Sequence, residues 1–189
     1  MIRVCVLGSI ASGKSFISKL FNCPIFNADK EVSDIYKKDK SCFRKLNKKF
    51  PDYIKSFPIR KIELINAISS NNKSLKFISS IVHPIVRKRM RKFLKEKKNS
   101  KMIVLAIPLL LENNLDKKKD ILIFIQSKRS KILSNLKKRK NVNKRLMNRF
   151  RNIQLPLDYK KKKSHFIIKN NFTNKSVKKE IRYILKKIL

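Results

Sequence analysis

The chain is poor in glycine, histidine, cysteine and acid: two, two, three and twelve residues among 189. Each shortage excludes something. Cys5, Cys23 and Cys42 are odd in number and lack metal-ligand spacing. They read as reduced thiols of a cytoplasmic protein, not as a disulfide framework. His83 and His165 are too far apart in sequence to suggest a metal site. No apolar run approaches the roughly eighteen residues of a membrane span. The first strand pattern opens at Ile2, without the basic region and apolar stretch of a secretory leader.

The shortage of acid leaves fifty basic residues uncompensated, for a net charge of +38. Such a balance suggests a nucleic-acid partner. Two features point away from one. Lysine, asparagine and isoleucine abound where glycine is nearly missing, the mark of an AT-biased coding sequence. The basic residues also run along the whole chain and form no single tail. We therefore expect no specific nucleic-acid partner, only adhesion to polyanions at low salt.

Both glycines fall in one stretch, Gly8-Ser9-Ile10-Ala11-Ser12-Gly13-Lys14-Ser15. The pattern Gly, four residues, Gly, Lys, Ser is that of a phosphate-binding loop. Glycine permits positive φ and close approach of an oxygen to the main chain. Ile2–Leu7 before the loop reads as a buried strand, and Phe16, Ile17, Leu20 and Phe21 after it recur at helical spacing. Strand, loop and helix are the context the motif requires. Gly8, Ala11, Ser12, Gly13, Lys14, Ser15 and Phe16 are thus expected to line an ATP site. Lys14 would contact the β- and γ-phosphates and Ser15 would bind Mg²⁺.

Five strand patterns occur, at Ile2–Leu7, Pro24–Asn27, Met102–Ile107, Ile121–Gln126 and His165–Lys169. Helical patterns separate them, which predicts an α/β fold with a parallel sheet covered on both faces. Between Asn27 and Met102 lie only helical patterns, at Asp29–Lys37, Cys42–Phe50, Ile59–Ser70 and Leu75–Lys97. Pro84 is expected to break the last of them at His83. A final helix carries Val177, Ile181, Ile184, Leu185 and Ile188 on one stripe, with Asn174 as its N-cap. From Ile121 to Leu157 no acidic residue occurs. That basic stretch is expected to close as a lid in which an arginine meets nucleotide phosphates. The organisation expected is one domain over 1–189: a core of 1–29, 98–127 and 160–189, a helical substrate-binding insertion at 30–97, and a lid at 128–159.

Asp29 follows the second strand, where open α/β sheets place their ligands. On residue type alone it serves either as general base or magnesium holder, or as the N-cap of a helix starting at Lys30.

Taken together, the separated motifs resemble those of the dephospho-coenzyme A kinase family. The phosphate loop lies at 8–15. Asn27-Ala28-Asp29 is similar to the family's Asp-Ala-Asp, and His83-Pro84 matches its His-Pro pair. Pro108-Leu109-Leu110-Leu111-Glu112 resembles its Pro-Leu-Leu-(apolar)-Glu segment. Gln126 through Arg139 resembles the start of its lid, Gln154-Leu155-Pro156 its Gln-Met-Pro, and Ile167-Ile168-Lys169-Asn170 its Val-Ile-Asp-Asn. The resemblance implies a P-loop kinase-like three-layer fold with a five-stranded parallel sheet. It implies an enzyme that uses ATP and Mg²⁺ to phosphorylate the ribose 3′-hydroxyl of dephospho-coenzyme A, and we expect that enzyme to be a monomer that meets no membrane. It implies Asp29 as general base, Arg139 as the lid arginine, His83 as a substrate contact and Asn170 at the start of the adenine-binding loop. Two alternatives stay open: another small-molecule or nucleotide kinase of the same fold, and a basic nucleic-acid-binding protein with a vestigial loop.

The chain departs from the family at several points. Asn27 replaces the first Asp, and Lys169 replaces another. Ser9, Ala11 and Phe16 stand for the usual Gly, Gly and Thr, and Ala106 stands where an acid often occurs. If position 11 needs positive φ, alanine there costs about 1–2 kcal/mol relative to glycine.

Overall fold

The runs Val4–Leu7, Met102–Ile107 and Leu122–Ile125 have no polar side, and all of their residues are buried. Strands that are apolar on both faces belong in the middle of a parallel sheet. In the computed structural model, which describes residues 1–71, 73–137 and 152–189, they form that middle. Strands β1 (Ile2–Gly8), β2 (Ile25–Asn27), β3 (Met102–Ala106), β4 (Ile121–Ser127) and β5 (Phe166–Asn170) make one five-stranded sheet in the order β2-β3-β1-β4-β5. Every pairing is parallel. All five lie where the hydrophobic runs put them, within a residue at each end.

The chain leaves β1 to build one side of the sheet, β2 and β3, and later builds the other, β4 and β5. The carboxyl end of β1 is therefore flanked by strands added in opposite directions, the place where such sheets open a ligand crevice. One face of the sheet is covered by α1 (Lys14–Leu20) and by the last helix, Asn174–Ile188. Ile17 and Phe21 pack with Val177, Ile181 and Ile184 over Val4, Val6, Val104, Ile123, Ile125 and Ile168. Because side chains alternate along a strand, Cys5, Leu7, Leu105, Leu122 and Phe124 occupy the other face, also buried.

Contacts divide the described residues into two compact units, 1–27 with 96–137 and 153–189, and 28–95. The second unit contains α2 (Ala28–Lys38), α3 (Lys40–Lys49), α4 (Lys61–Ser70) and α5 (Ser74–Glu96). No strand occurs among its described residues. Its own core gathers Ile35, Leu46, Ile54, Ala67, Ile78 and Val82. Asp39 caps α3 by accepting from Cys42 N at 2.8 Å. Before α4, Glu63 organises the 55–60 turn. Its carboxylate accepts from Lys55 N, Ser56 N, Ser56 Oγ, Arg60 N and Arg60 Nη2. Burial pushes this carboxyl up, but the bonds from Ser56, Arg60 and Lys55 outweigh it and hold the pKa down at about 2.

Two local expectations need correction. Pro84 does not end a helix at His83: α5 runs from Ser74 to Glu96 with Pro84 inside. Proline removes one ladder bond, to the Ser80 carbonyl. That loss is outweighed because Ile78, Val82 and Met90, on both sides of it, are buried. Nor is Asn174 the N-cap of the last helix. Thr173, extended at φ −106 and ψ 143, holds that position and Asn174 is the first helical residue. Asn171 Oδ1 accepts from Thr173 N, Thr173 Oγ1 and Ser176 Oγ, so the turn is organised before residue 174.

After β4 the described chain continues as α6 (Arg129–Lys137), then, from residue 152, α7 (Leu157–Lys163) and, after β5, α8 (Asn174–Ile188). α7 lies against β1 and β4.

Candidate active site

The phosphate loop turns at the carboxyl end of β1. Gly8 has φ 145 and Gly13 has φ 91, both in the region that favours glycine. Space also demands glycine at both. A Cβ on Gly8 would stand 2.8 Å from Ser12 Oγ and 2.9 Å from the Ile125 carbonyl oxygen. A Cβ on Gly13 would land on the Asn170 carboxamide and lie 3.3 Å from the Phe172 ring. Ala11 has φ 63, so the condition for strain at this position is met, and alanine here carries the cost of about 1–2 kcal/mol.

Gly13 is the N-cap of α1, and Lys14 and Ser15 are its first two residues. The first N–H groups of a helix have no intrahelical partner, and the helix dipole adds positive potential there. This is an anion site built from backbone. Lys14 is half-buried and arches back over the loop, its Nζ donating to Ser9 O at 2.7 Å and Gly8 O at 3.1 Å. The Ser15 side chain is exposed, and Phe16 is also on the surface. Among the described residues no three His, Cys, Asp or Glu side chains gather to hold a metal. A magnesium ion brought by a nucleotide needs only one or two protein oxygens beside phosphates and waters. The exposed Ser15 hydroxyl at the loop's end fits that need.

The carbonyl of Ser12 is held from two strands. Ser127 Oγ, at the end of β4, donates to it at 2.9 Å, and Asn170 Nδ2, at the end of β5, at 2.8 Å. Asn170 is buried, and its Oδ1 accepts from Phe172 N at 2.8 Å. Asn170 thus reaches the phosphate loop itself.

Asp29 and His83 belong to the helical unit. Asp29 is exposed in the first turn of α2, which begins at Ala28 directly after β2. It is therefore not the cap of a helix starting at Lys30. His83 is half-buried in α5. Burial, and then repulsion from Arg87 one turn on, pull its pKa down, which keeps the imidazole neutral at physiological pH. Arg89 Nη1 and Glu31 Oε2, 3.1 Å apart, tie α5 to α2. Arg139 lies outside the described residues.

Residues 2–176 match the family described as CoaE, dephospho-CoA kinase. The chain belongs to the dephospho-CoA kinase family. A dephospho-CoA kinase from Wolbachia sp. subsp. Brugia malayi is 31% identical over 183 residues, covering 94% of this chain and 93% of that one. Among solved structures, a Thermus thermophilus protein superposes with a TM-score of 0.80 at 19% identity, covering 100% of this chain and 98% of that one. A dephospho-CoA kinase from Campylobacter jejuni gives 0.64 at 22% identity, covering 98% and 96%. At these identities the two structures establish the shared fold.

Three side chains without a sequence signature support the core: Ser127 behind the loop, and Glu112 with Lys160 where α7 lies on the sheet. Ser127 carries no motif and stands just ahead of the basic stretch. Glu112 reads in sequence only as the end of a family-like segment. It accepts from Leu155 N at 2.9 Å and pairs with Lys160 Nζ at 2.5 Å, both acid and lysine buried. Lys160 opens a run of four lysines and reads in sequence like any solvated basic residue.

Proposed function

We propose that this dephospho-CoA kinase family member transfers the γ-phosphoryl group of ATP to the ribose 3′-hydroxyl of dephospho-coenzyme A, giving coenzyme A and ADP. The observation that carries the reading is the built phosphate loop, with both glycines required by φ and by space, in a chain of this family. In the transfer, a bond forms between the ribose oxygen and the γ-phosphorus. The bond from that phosphorus to the β–γ bridging oxygen breaks, leaving ADP, and the hydroxyl proton passes to a base.

Each residue has a role in this scheme. The loop N–H groups and the start of α1 bind the phosphates. Lys14, remaining an ammonium, redirects an N–H donor from the loop carbonyls to the phosphate oxygens, where charge must be neutralised. Mg²⁺, when bound, spreads the charge of the phosphate oxygens, and Ser15 is the residue that would hold it. Asp29, an exposed carboxylate in the first turn of α2, takes the ribose proton. Arg139 meets the phosphates from the lid, and neutral His83 offers the acceptor a hydrogen bond. The three free thiols support a reducing compartment such as the cytoplasm.

The position of transfer is tested with a 3′-deoxy analogue of dephospho-coenzyme A. ATP-dependent phosphorylation of the parent and none of the analogue is expected. Phosphate on the analogue would place the transfer elsewhere.

A further inference from the structure

We infer that Asn170 and Ser127 are positioning residues of the phosphate loop: they fix the Ser12–Gly13 peptide and through it aim the Gly13 N–H at the bound phosphate. The inference rests on the ATP reading of the loop and deepens it. Asn170 then acts behind the loop and not on the adenine.

A trans peptide points its carbonyl and its following N–H in opposite directions. The Ser12 carbonyl is held on the sheet side by two donors, at 2.9 and 2.8 Å, from the ends of two neighbouring strands. The Gly13 N–H consequently faces the other way, into the loop. Those donors are fixed in turn. Ser127 and Asn170 are register partners in the β4–β5 ladder. The Asn170 carboxamide is engaged at both ends, so its orientation is set: Nδ2 to Ser12 O, and Oδ1 from Phe172 N. Phe172 takes φ 65, a left-handed turn unusual for a bulky residue, and that turn delivers its N–H to Asn170 Oδ1. The carboxamide and the Phe172 ring then fill the space over Gly13. Position 13 is glycine because this brace occupies the place of its Cβ.

This matters more here than in a loop richer in glycine. Ala11 sits at φ 63, a strained setting for a residue with a Cβ. A loop that stores strain relaxes when its restraints are removed. Two hydrogen bonds on one carbonyl hold the next peptide against that relaxation.

The test is equilibrium binding of ATP and of inorganic tripolyphosphate to the full chain, with steady-state KM values for ATP and dephospho-coenzyme A. Asn170→Ala is expected to weaken ATP and tripolyphosphate alike, by about tenfold, the scale of leaving one buried partner unmade. KM for dephospho-coenzyme A should stay within about twofold. Ser127→Ala should weaken both ligands by a smaller factor, and Ser127→Thr, which keeps the hydroxyl, should restore them. Since the remaining bond still orients the peptide in part, the double alanine variant should lose more than the product of the single losses. If Asn170→Ala loses its cooperative melt, the Ser127→Ala and Ser127→Thr pair decides. Loss of ATP affinity with tripolyphosphate unchanged would mean that Asn170 serves the base and would overturn the inference. So would wild-type affinity in folded variants, or a wild-type chain that binds neither ligand. A chain whose variants lose both ligands as stated, but which does not phosphorylate dephospho-coenzyme A, would leave the brace standing and remove the acceptor reading alone.

Discussion

Lys160 Nζ and Glu112 Oε1 form a buried ion pair, 2.5 Å apart, that joins α7 to the segment after β3. The same carboxylate oxygen accepts from Leu155 N, while Oε2 has no hydrogen-bond partner among the described residues. One charge therefore depends on the other. Lys160→Met should destabilise the fold by about 3–5 kcal/mol, because it strands the carboxylate in the interior. Adding Glu112→Leu should recover most of that loss. Lys162→Ala, an exposed neighbour on α7, should change stability by less than about 0.5 kcal/mol. Urea unfolding of the four proteins compares them, and equal stability of Lys160→Met and wild type would refute the pairing.

Lys14→Ala should leave the fold intact and nearly abolish turnover. Its side chain is half-buried and lies outside the hydrophobic core, with Nζ donating to the Gly8 and Ser9 carbonyls of the loop. Loss of charge stabilisation on the transferring group should cost about 3–4 kcal/mol, on the scale of other transition-state donors. A melting curve and single-turnover rate on the same sample separate the effects. Near-normal turnover would mean that the loop is not a catalytic phosphate site.

Asp29→Asn should depress turnover strongly while changing ATP affinity little. Asparagine keeps the shape and the helix start but cannot take the ribose proton. The rate of phosphate transfer and the affinity for ATP are measured separately. An unchanged rate would remove Asp29 as the base.

Acid should weaken the helical unit in a defined window. Glu63 has its folded pKa held at about 2, below the ordinary 4.5. A depressed carboxyl contributes stability above its unfolded pKa and loses it as pH falls toward the folded one. The contribution, on the order of 2–3 kcal/mol, is thus present at pH 7 and fades between about 4.5 and 2. Glu63→Gln should be less stable than wild type at pH 7, with the gap narrowing below about pH 4.5 and closing only as pH nears about 2. A gap that stays constant across this range would rule out the hydrogen bonds to Lys55, Ser56 and Arg60 as its source.

The sheet was legible because its strands carry long apolar runs with no helical period, and the loop because glycine occurs nowhere else. Sequence pattern reports which residues avoid water, and Val4–Leu7 and Leu122–Ile125 do so without exception. It does not report which member of a polar run turns inward. Lys160 is 1% exposed beside Lys162 and Lys163, which stay in water, and only the packing of α7 on β1 and β4 distinguishes them. Pro84 misled for a related reason: a local breaking tendency was overruled by buried contacts on both sides. Ser127 was hidden because a serine at a strand end has no signature until β5 brings Asn170 to the same carbonyl.

The most direct measurement is a substrate panel. ATP consumption is followed with dephospho-coenzyme A, with nucleoside monophosphates and with shikimate, and the products are identified by mass. Turnover with dephospho-coenzyme A alone, giving coenzyme A, is the predicted result. Faster phosphorylation of a nucleoside monophosphate or shikimate, with dephospho-coenzyme A unchanged, would contradict it.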